Sequence, residues 1–308
     1  MYIYFDAHCD TLSKMYKKRI GISSSELMVN TNNLKPYKSV IQVFALFNNG
    51  ELNKKAMTDC FEYFKNECKK LSDKVLICTS ATEIDKNIAP LSAILAIEAL
   101  GNQPDFKTSD IPDYYNIGVR FMSLCWNGDN VLCGGCEGEN TGLTNLGIQA
   151  LNKMEEYKII LDVSHMSDKS FWESFENYSL PICATHSVSR FVHTHVRNLT
   201  DEQFKAIRDR KGVCGINFYP PFLCSGNATL DDVVNHIEHF MSLGGEDCIG
   251  LGSDFDGIGS TPKNLENSSK ICNLLDRLLA LNYSEETVKK IAYGNFKNLF
   301  EKFCDKIN

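Results

Sequence analysis

Of the seven histidines in this chain, three stand at the ends of short apolar runs: His8, His165 and His186. Those runs read as β-strands, so each imidazole falls where a strand gives way to a loop. His8 is followed two residues later by Asp10. Strand side chains alternate with a period of two, so both point to one face and can reach one ion. Glu98 closes another such run. A single His or Glu at a strand end is ordinarily a hydrogen-bonded loop residue; here the weight comes from five together. Three imidazoles and two carboxylates suit a borderline cation such as Zn²⁺. Five ligands are too many for one tetrahedral ion that keeps an open position. They suit two ions that share a carboxylate and a hydroxide. Asp254, in Gly252-Ser253-Asp254-Phe255-Asp256-Gly257, ends a further run. A carboxylate beside such a hydroxide can take its proton and pass it to a leaving group. Asp256 is expected to serve the turn at Gly257 instead.

The elements that must position these residues alternate in type. Eight apolar, β-branched runs are expected as strands: Ile3–His8, Ser39–Leu46, Ala93–Glu98, Val119–Leu124, Ile159–His165, Pro181–His186, Val213–Phe218 and Ile249–Phe255. Between them, helical periodicity marks Thr58–Leu71, Asp110–Asn116, Asn145–Tyr157, Asp168–Asn177, Asp201–Arg210, Leu230–Leu243, Ser268–Leu281 and Ser284–Phe303. Continuous apolar strands imply a sheet buried on both faces, hence parallel, with helical crossovers. Eight such units predict an α/β fold of the closed (β/α)8 TIM-type barrel class. The rival is an open doubly wound sheet, but no G-x-G-x-x-G follows the first strand. No linker or repeat divides the 308 residues, so a single catalytic domain over 1–308 is expected, closing with C-terminal helices. In a barrel of this class the chemistry sits at the C-terminal ends of strands, where the candidate ligands fall.

Composition narrows the function classes. With 43% hydrophobic and 23% charged residues the chain is ordinary globular material. Its net charge of −7 makes a nucleic-acid partner unexpected. The longest uncharged run, Gly212 to Leu230, carries Pro220, Pro221, Asn217 and Asn227 and makes a poor membrane span. The opening Met1-Tyr2-Ile3-Tyr4-Phe5-Asp6 lacks the pattern of a secretory signal, so a cytoplasmic location is expected. The 13 cysteines are expected to be reduced, mostly buried thiols. Cys133-Gly134-Gly135-Cys136 is a lone CxxC, expected to be a Gly-rich loop, with Gly134 to Gly142 a candidate flap. Lys14, Lys17, Lys18 and Arg19 are expected as a solvated face. His236 and His239 are expected on a helix surface, because their spacing is not H-E-x-x-H.

Several segments together resemble a known family, the renal (membrane) dipeptidases, peptidase family M19 of the amidohydrolase superfamily. They are Asp6-Ala7-His8-Cys9-Asp10, Ile97-Glu98, Gly118-Val119-Arg120-Phe121, Asp162-Val163-Ser164-His165, Ala184-Thr185-His186-Ser187, Val196-Arg197-Asn198-Leu199, Asn217-Phe218-Tyr219 and the Gly252–Gly257 segment. They arrive in the family's order and span the chain. The resemblance implies two Zn²⁺ per chain, one held by His8 and Asp10 and the other by His165 and His186. Glu98 and a hydroxide would bridge them. It further implies Asp254 as catalytic acid/base, Arg197 as the grip on the substrate's C-terminal carboxylate, and Tyr219 as a substrate-lining residue. A bidentate Arg–carboxylate pair would explain a need for a free C-terminus.

The implied activity is hydrolysis of dipeptides, with tolerance of a D-residue on the C-terminal side and, by analogy, a possible homodimer. One departure stands out. After the fourth strand the mammalian relatives carry a His that steadies the tetrahedral intermediate, and Trp126 occupies that place in Leu124-Cys125-Trp126-Asn127. An indole donates one hydrogen bond but carries no charge. Oxyanion help is then expected from a zinc ion, from Asn127 or from a nearby Arg. Two rival readings follow. One is another amidohydrolase acting on a cyclic amide, a lactone or an amine; the pattern disfavours it, since strand one carries His-X-Asp rather than His-X-His. The other is a non-catalytic metal- or peptide-binding barrel, for which Trp126 alone speaks.

Overall fold

The computed structural model describes residues 1–304. Nine parallel strands form one sheet: β1 (Ile3–Cys9), β2 (Ser39–Phe47), β3 (Val75–Ile77), β4 (Leu91–Glu98), β5 (Val119–Ser123), β6 (Ile160–Asp162), β7 (Ile182–Ser187), β8 (Val213–Ile216) and β9 (Ile249–Leu251). Their order is β2-β1-β9-β8-β7-β6-β5-β4-β3, and a further pairing of β2 with β4 closes eight of them into the expected barrel. That pairing runs unbroken from Val40↔Leu91 to Phe47↔Glu98. The ninth strand, β3, is absent from the sequence reading. It pairs with Leu91–Ala93 at the start of β4, while β5 takes up the pairing from Leu95 onward. With three residues and an exposed Leu76 it has too little apolar pattern to be read as a strand.

Phe5, Ala7, Ile41, Val43, Ala45, Ile94, Ala96, Phe121, Ile160, Cys183 and Val213 form an inner cluster contributed by seven barrel strands. Phe296, Leu299, Phe300 and Phe303 of the last helix belong to the same cluster. Phe296 stacks on Phe5 at 5.6 Å and Phe300 on Phe121 at 6.1 Å. The C-terminal helix therefore plugs the barrel at the end away from the strand C-termini. Its expected span, Ser284–Phe303, is interrupted: α-helix over Glu285–Lys289, a π-helical turn over Lys290–Gly294, then α-helix over Asn295–Cys304. The wide turn lets the Asn295 amide donate to the carbonyls of Glu246 and Ile249, stitching the plug to β9.

Two strands break their own alternation near the mouth. In β1, Asp6 pairs with Gln42 and Cys9 with Phe44, so three steps on β1 match two on β2. In β7 and β8 the same happens between Ala184↔Cys214 and Ser187↔Ile216. An extra residue switches the side chains that follow to the other face. Phe5 and Cys183 face inward below these bulges; His8, Asp10 and His186 lie on the opposite sequence parity and are turned inward by them.

Among the helices, Asp168–Asn177 lies where the sequence placed it. The helix expected to begin at Thr58 begins at Lys54, because the Asn53 side chain accepts from Ala56 N and caps it. Three short helices escaped the sequence reading: Thr11–Lys18, Ala81–Lys86 and Pro220–Leu223. The first of these begins immediately after Asp10.

Candidate active site

The five expected ligands converge at the barrel mouth, all of them buried. Glu98, the last residue of β4, divides its carboxylate. Its Oε2 lies 3.4 Å from His8 Nε2, which is itself 3.7 Å from Asp10 Oδ2. Its Oε1 lies 3.0 Å from His165 Nε2 and 3.9 Å from His186 Nε2, and those two nitrogens are 3.0 Å apart. Two metal-competent triads result, His8–Asp10–Glu98 and Glu98–His165–His186, and a third, His8–His186–Asp254, overlaps both. Asp254 Oδ1 is 3.9 Å from His8 Nε2.

The donor set fits cations better than it fits itself. His8 Nε2 and Asp10 Oδ1 are buried with no hydrogen-bond partner. Such orphaned groups cost about 1–3 kcal/mol each unless something else satisfies them. At Gly257 an added Cβ would come within 2.1 Å of Asp10 Oδ2 and 2.7 Å of Asp254 Oδ1, so the backbone itself makes room for the cluster.

Neighbouring polar groups orient the ligand imidazoles. Asn127 Oδ1 lies 2.7 Å from His165 Nδ1 and, as an acceptor, holds the proton there and leaves Nε2 bare. Thr185 Oγ1 donates to Asp162 Oδ2 (2.5 Å), so toward His186 Nδ1 (2.7 Å) it must accept. That places the His186 proton on Nδ1 and turns a bare Nε2 to the centre. Asp162 is fixed in turn by the backbone amides of Ser164 and Thr185. Asp254 is held by Asn217, whose Nδ2 donates to Oδ2 (3.0 Å) while its Oδ1 accepts from Tyr219 N (2.6 Å). Asn217, Thr185 and Asp162 lie in the family-like segments, but no role had been read for them; nothing in one dimension ties them to the ligands. His165 and Asp254 both sit at positive φ, 70° and 63°, backbone strain of a kind that gathers at functional sites.

Packing four ionisable groups around Glu98 shifts their protonation. Burial pushes the Glu98 carboxyl up, but the close approach of His165 (3.0 Å) and His8 (3.4 Å) outweighs it and holds it well below the usual range. Burial, then the charge of Glu98, raises Asp10 to about 6. Asp254 is raised to about 7 by burial, with Asp10 and Glu98 adding and His8 opposing. Burial and the Arg197 charge lower His165 to about 4. His186 is lowered too, by burial first, whereas His8 is raised, because Asp10 and Glu98 outweigh its burial. Carboxylates crowded together beside two imidazoles that resist protonation are a state in which bound cations relieve repulsion.

The site opens into a cleft of about 740 Å³ lined by Trp126, Asn127, Tyr219, Phe222 and Asp254 among others. Trp126 is 42% exposed and packs edge-on against Phe47 at 5.3 Å. Tyr219 stands edge-on to Phe222 at 4.9 Å. Arg197 is buried at 4% exposure, beside the His186 ligand. Its guanidinium donates to Ser187 Oγ (2.9 Å) and to the His186 carbonyl (3.0 Å), and its Nε has no partner.

Three expectations need correction. His236 lies in the core, not on a helix surface: it is fully buried, accepts from Ser189 N at Nδ1 and bonds the Leu223 carbonyl at Nε2. The basic face is solvated as expected at Lys17, Lys18 and Arg19, and Lys14, Lys17 and Lys18 also line the cleft. Asp256 does more than serve a turn, since its carboxylate accepts from Thr11, Lys14 and Met28 N. The 134–142 run is tied down rather than a free flap, with Asp129 accepting from Gly135 N, Glu139 N and Thr141 Oγ1.

Fold and site together define a class: a (β/α)8 barrel with a candidate binuclear metal centre at its C-terminal mouth. The chain belongs to the membrane dipeptidase family, peptidase family M19, whose model matches residues 1–305. It is 32% identical over 247 residues to an uncharacterized protein in the pqqA 5′ region of Klebsiella pneumoniae, covering 74% of this chain and 90% of that one. It is also 32% identical over 211 residues to an uncharacterized dipeptidase of Schizosaccharomyces pombe, covering 64% of this chain and 50% of that longer protein. The chain thus spans about half the length of that yeast relative. In fold it matches a metallopeptidase from Rhodobacter sphaeroides solved with a phosphinate mimic of the dipeptide L-Ala-D-Ala, with TM-score 0.83 and 21% identity over 97% of this chain and 99% of that one. Among the described residues, no helix is long and apolar enough to cross a membrane.

Proposed function

We propose that this protein is a binuclear zinc dipeptidase, cleaving dipeptides that have a free C-terminal carboxylate and accepting a D-residue at that end. The observation that carries the reading is the division of Glu98 between two ligand sets with Asp254 beside them. His8 and Asp10 would hold one ion, His165 and His186 the other, and Glu98 both. Bound there, the pair would supply Lewis acidity to the scissile carbonyl and a water acidified enough to attack at neutral pH.

The chain's own residues do the rest. Asn127 and the Asp162–Thr185 pair keep the ligand nitrogens aimed at the centre. Burial lifts Asp254 toward neutrality, which suits a carboxylate that takes a proton from the attacking water and returns it to the leaving amine. Asn217 holds Oδ2 and so leaves Oδ1, the oxygen nearer His8, for this transfer. Arg197 has spent two of its five N–H donors on the protein, leaving donors for a substrate carboxylate. Trp126, Asn127 and Tyr219 line the space the dipeptide would occupy. The relative from R. sphaeroides, seen with an L-Ala-D-Ala mimic, supports the D-residue tolerance. No disulfide forms among the described residues, and nine of the thirteen cysteines are buried, in keeping with a reducing, cytoplasmic setting.

The test is release of D-alanine from L-Ala-D-Ala by zinc-loaded protein, beside the tripeptide L-Ala-L-Ala-D-Ala and an Asp254→Asn variant. Turnover of the dipeptide alone, lost in the variant, is expected. Inactivity on every dipeptide with both ions bound would overturn the reading and favour a binding barrel.

A further inference from the structure

The helix Thr11–Lys18 starts one residue beyond Asp10, a candidate metal ligand. Lys14, Lys17 and Lys18 fall at i, i+3 and i+4 on it and share one face. All three line the same cleft as Asp10, Glu98 and Asp254. Their charges are not equally free. Lys14 is paired with Asp256 at 2.8 Å, and that carboxylate is fully buried and also bonded by Thr11 and Met28 N. Lys18 is paired with Glu26 at 2.5 Å. Lys17 is exposed and, among the described residues, has no carboxylate partner.

An apolar surface adjoins this basic one. Ser13, on the same helix, accepts from Phe47 N at 2.9 Å, and Phe47 packs on Trp126. The cleft wall near Asp10 therefore offers aromatic faces beside an unspent ammonium group. Around the barrel, Arg197 follows β7, which is separated from β1 by β8 and β9. If a dipeptide is held as proposed, with its C-terminal carboxylate at Arg197 and its scissile carbonyl over the centre, the β1 side of the cleft, with Ser13, Lys14, Lys17 and Lys18, is open to its first side chain. Glu137, on the cleft lining with His195, is the carboxylate outside the metal cluster and the Lys14 pair that also faces this space.

We infer that the cleft selects dipeptides whose first residue is an acid with an aliphatic stem, glutamate above all, with Lys17 as the specificity-determining cation. This rests on the dipeptidase reading. The methylenes of such a side chain lie against Phe47 and Trp126 while its carboxylate meets Lys17.

The experiment compares kcat/KM of the zinc-loaded full chain for L-Glu-L-Ala, L-Gln-L-Ala, L-Lys-L-Ala and L-Ala-L-Ala, in the wild type, Lys17→Gln and Lys17→Glu, at low and high salt. Lys17 is exposed, so both variants should fold. The wild type should prefer Glu over Gln by about fivefold at low salt, the range of an exposed ion pair. The preference should shrink as salt screens it. The Glu/Gln ratio should fall to about one in Lys17→Gln, and Lys17→Glu should move the preference toward L-Lys-L-Ala. Hydrolysis of L-Ala-L-Ala without a Glu preference, or a Glu/Gln ratio unchanged by Lys17→Gln, overturns this inference alone. Failure to cleave any of the four, with metal bound, overturns the dipeptidase reading and this inference with it.

Discussion

In the proposed reading Asp254 and Arg197 meet different parts of a substrate, so their removal should read differently. Asp254→Asn keeps the shape and the Asn217 neighbour but has no proton to exchange. It should lower kcat by about 10²–10⁴, with metal content by mass spectrometry unchanged. Arg197→Lys keeps a charge but loses the planar fork that meets a carboxylate through two bonds. Its loss should appear as a KM raised about tenfold or more, since a hydrogen bond between charged groups is worth about 1.5–3 kcal/mol. Equal losses in kcat for both variants would argue against separate roles. At this scale the candidate ligands were legible in the sequence, because imidazoles and carboxylates near strand ends are few. Asn217 and Thr185 were not, since each acts through a single hydrogen bond, Asn217 to Asp254 beyond the neighbouring strand and Thr185 to the adjacent His186, that no residue pattern marks.

The elements explain why spacing alone picked out residues that converge at the mouth while leaving their direction open. His8-X-Asp10 does share a face, as strand periodicity requires, but only the bulge in β1 makes that face the inner one. Bulges, the left-handed residues His165 and Asp254 three positions beyond β6 and β9, and the close approach at Gly257 are backbone features with no apolar pattern to betray them. Gly257→Ala should therefore drive a methyl into Asp10 and Asp254, lowering metal affinity and activity together while the barrel still folds, as circular dichroism and metal titration would show. The short helix Thr11–Lys18 lacks the length that marks a helix in sequence, and its lysines, exposed at Lys17 and Lys18 as expected, also line the cleft.

His236 on the helix Leu230–Ser242 joins two mouth segments through Ser189 and Leu223, and it yields a pH prediction. Burial, against the opposing Leu223 bond, lowers it from 6.5 to about 4. Between those values the unfolded chain binds a proton that the folded one refuses. Its contribution is whole above pH 6.5 and is lost as pH falls toward 4, about 3 kcal/mol in all. Urea unfolding of wild type and His236→Gln should show the difference between them narrowing across that window. A constant difference would contradict the assignment.

For the molecule as a whole, closure through β2 and β4 leaves two open ends, and the chain treats them oppositely. One is filled by Phe296, Phe300 and Phe303; the other gathers charge. The barrel was legible from eight apolar runs, whereas the plug was not, because its helix pattern does not say which surface it meets. A mouth crowded with Asp10, Glu98 and Asp254 should make metal binding part of stability. Chelation should lower the thermal midpoint and added zinc restore it, by about 2.7 kcal/mol per site at a hundredfold excess over Kd. A midpoint indifferent to chelator would mean that the cluster holds no ion in solution.

The shared Glu98 is the centre of the account, and anomalous diffraction at the zinc edge from zinc-loaded crystals tests it most directly. The expected map has two peaks about 3.5–4 Å apart, one beside His8 and Asp10 and the other beside His165 and His186, each about 2.0–2.2 Å from a different oxygen of Glu98. A single peak, or two peaks of which only one touches Glu98, would contradict it.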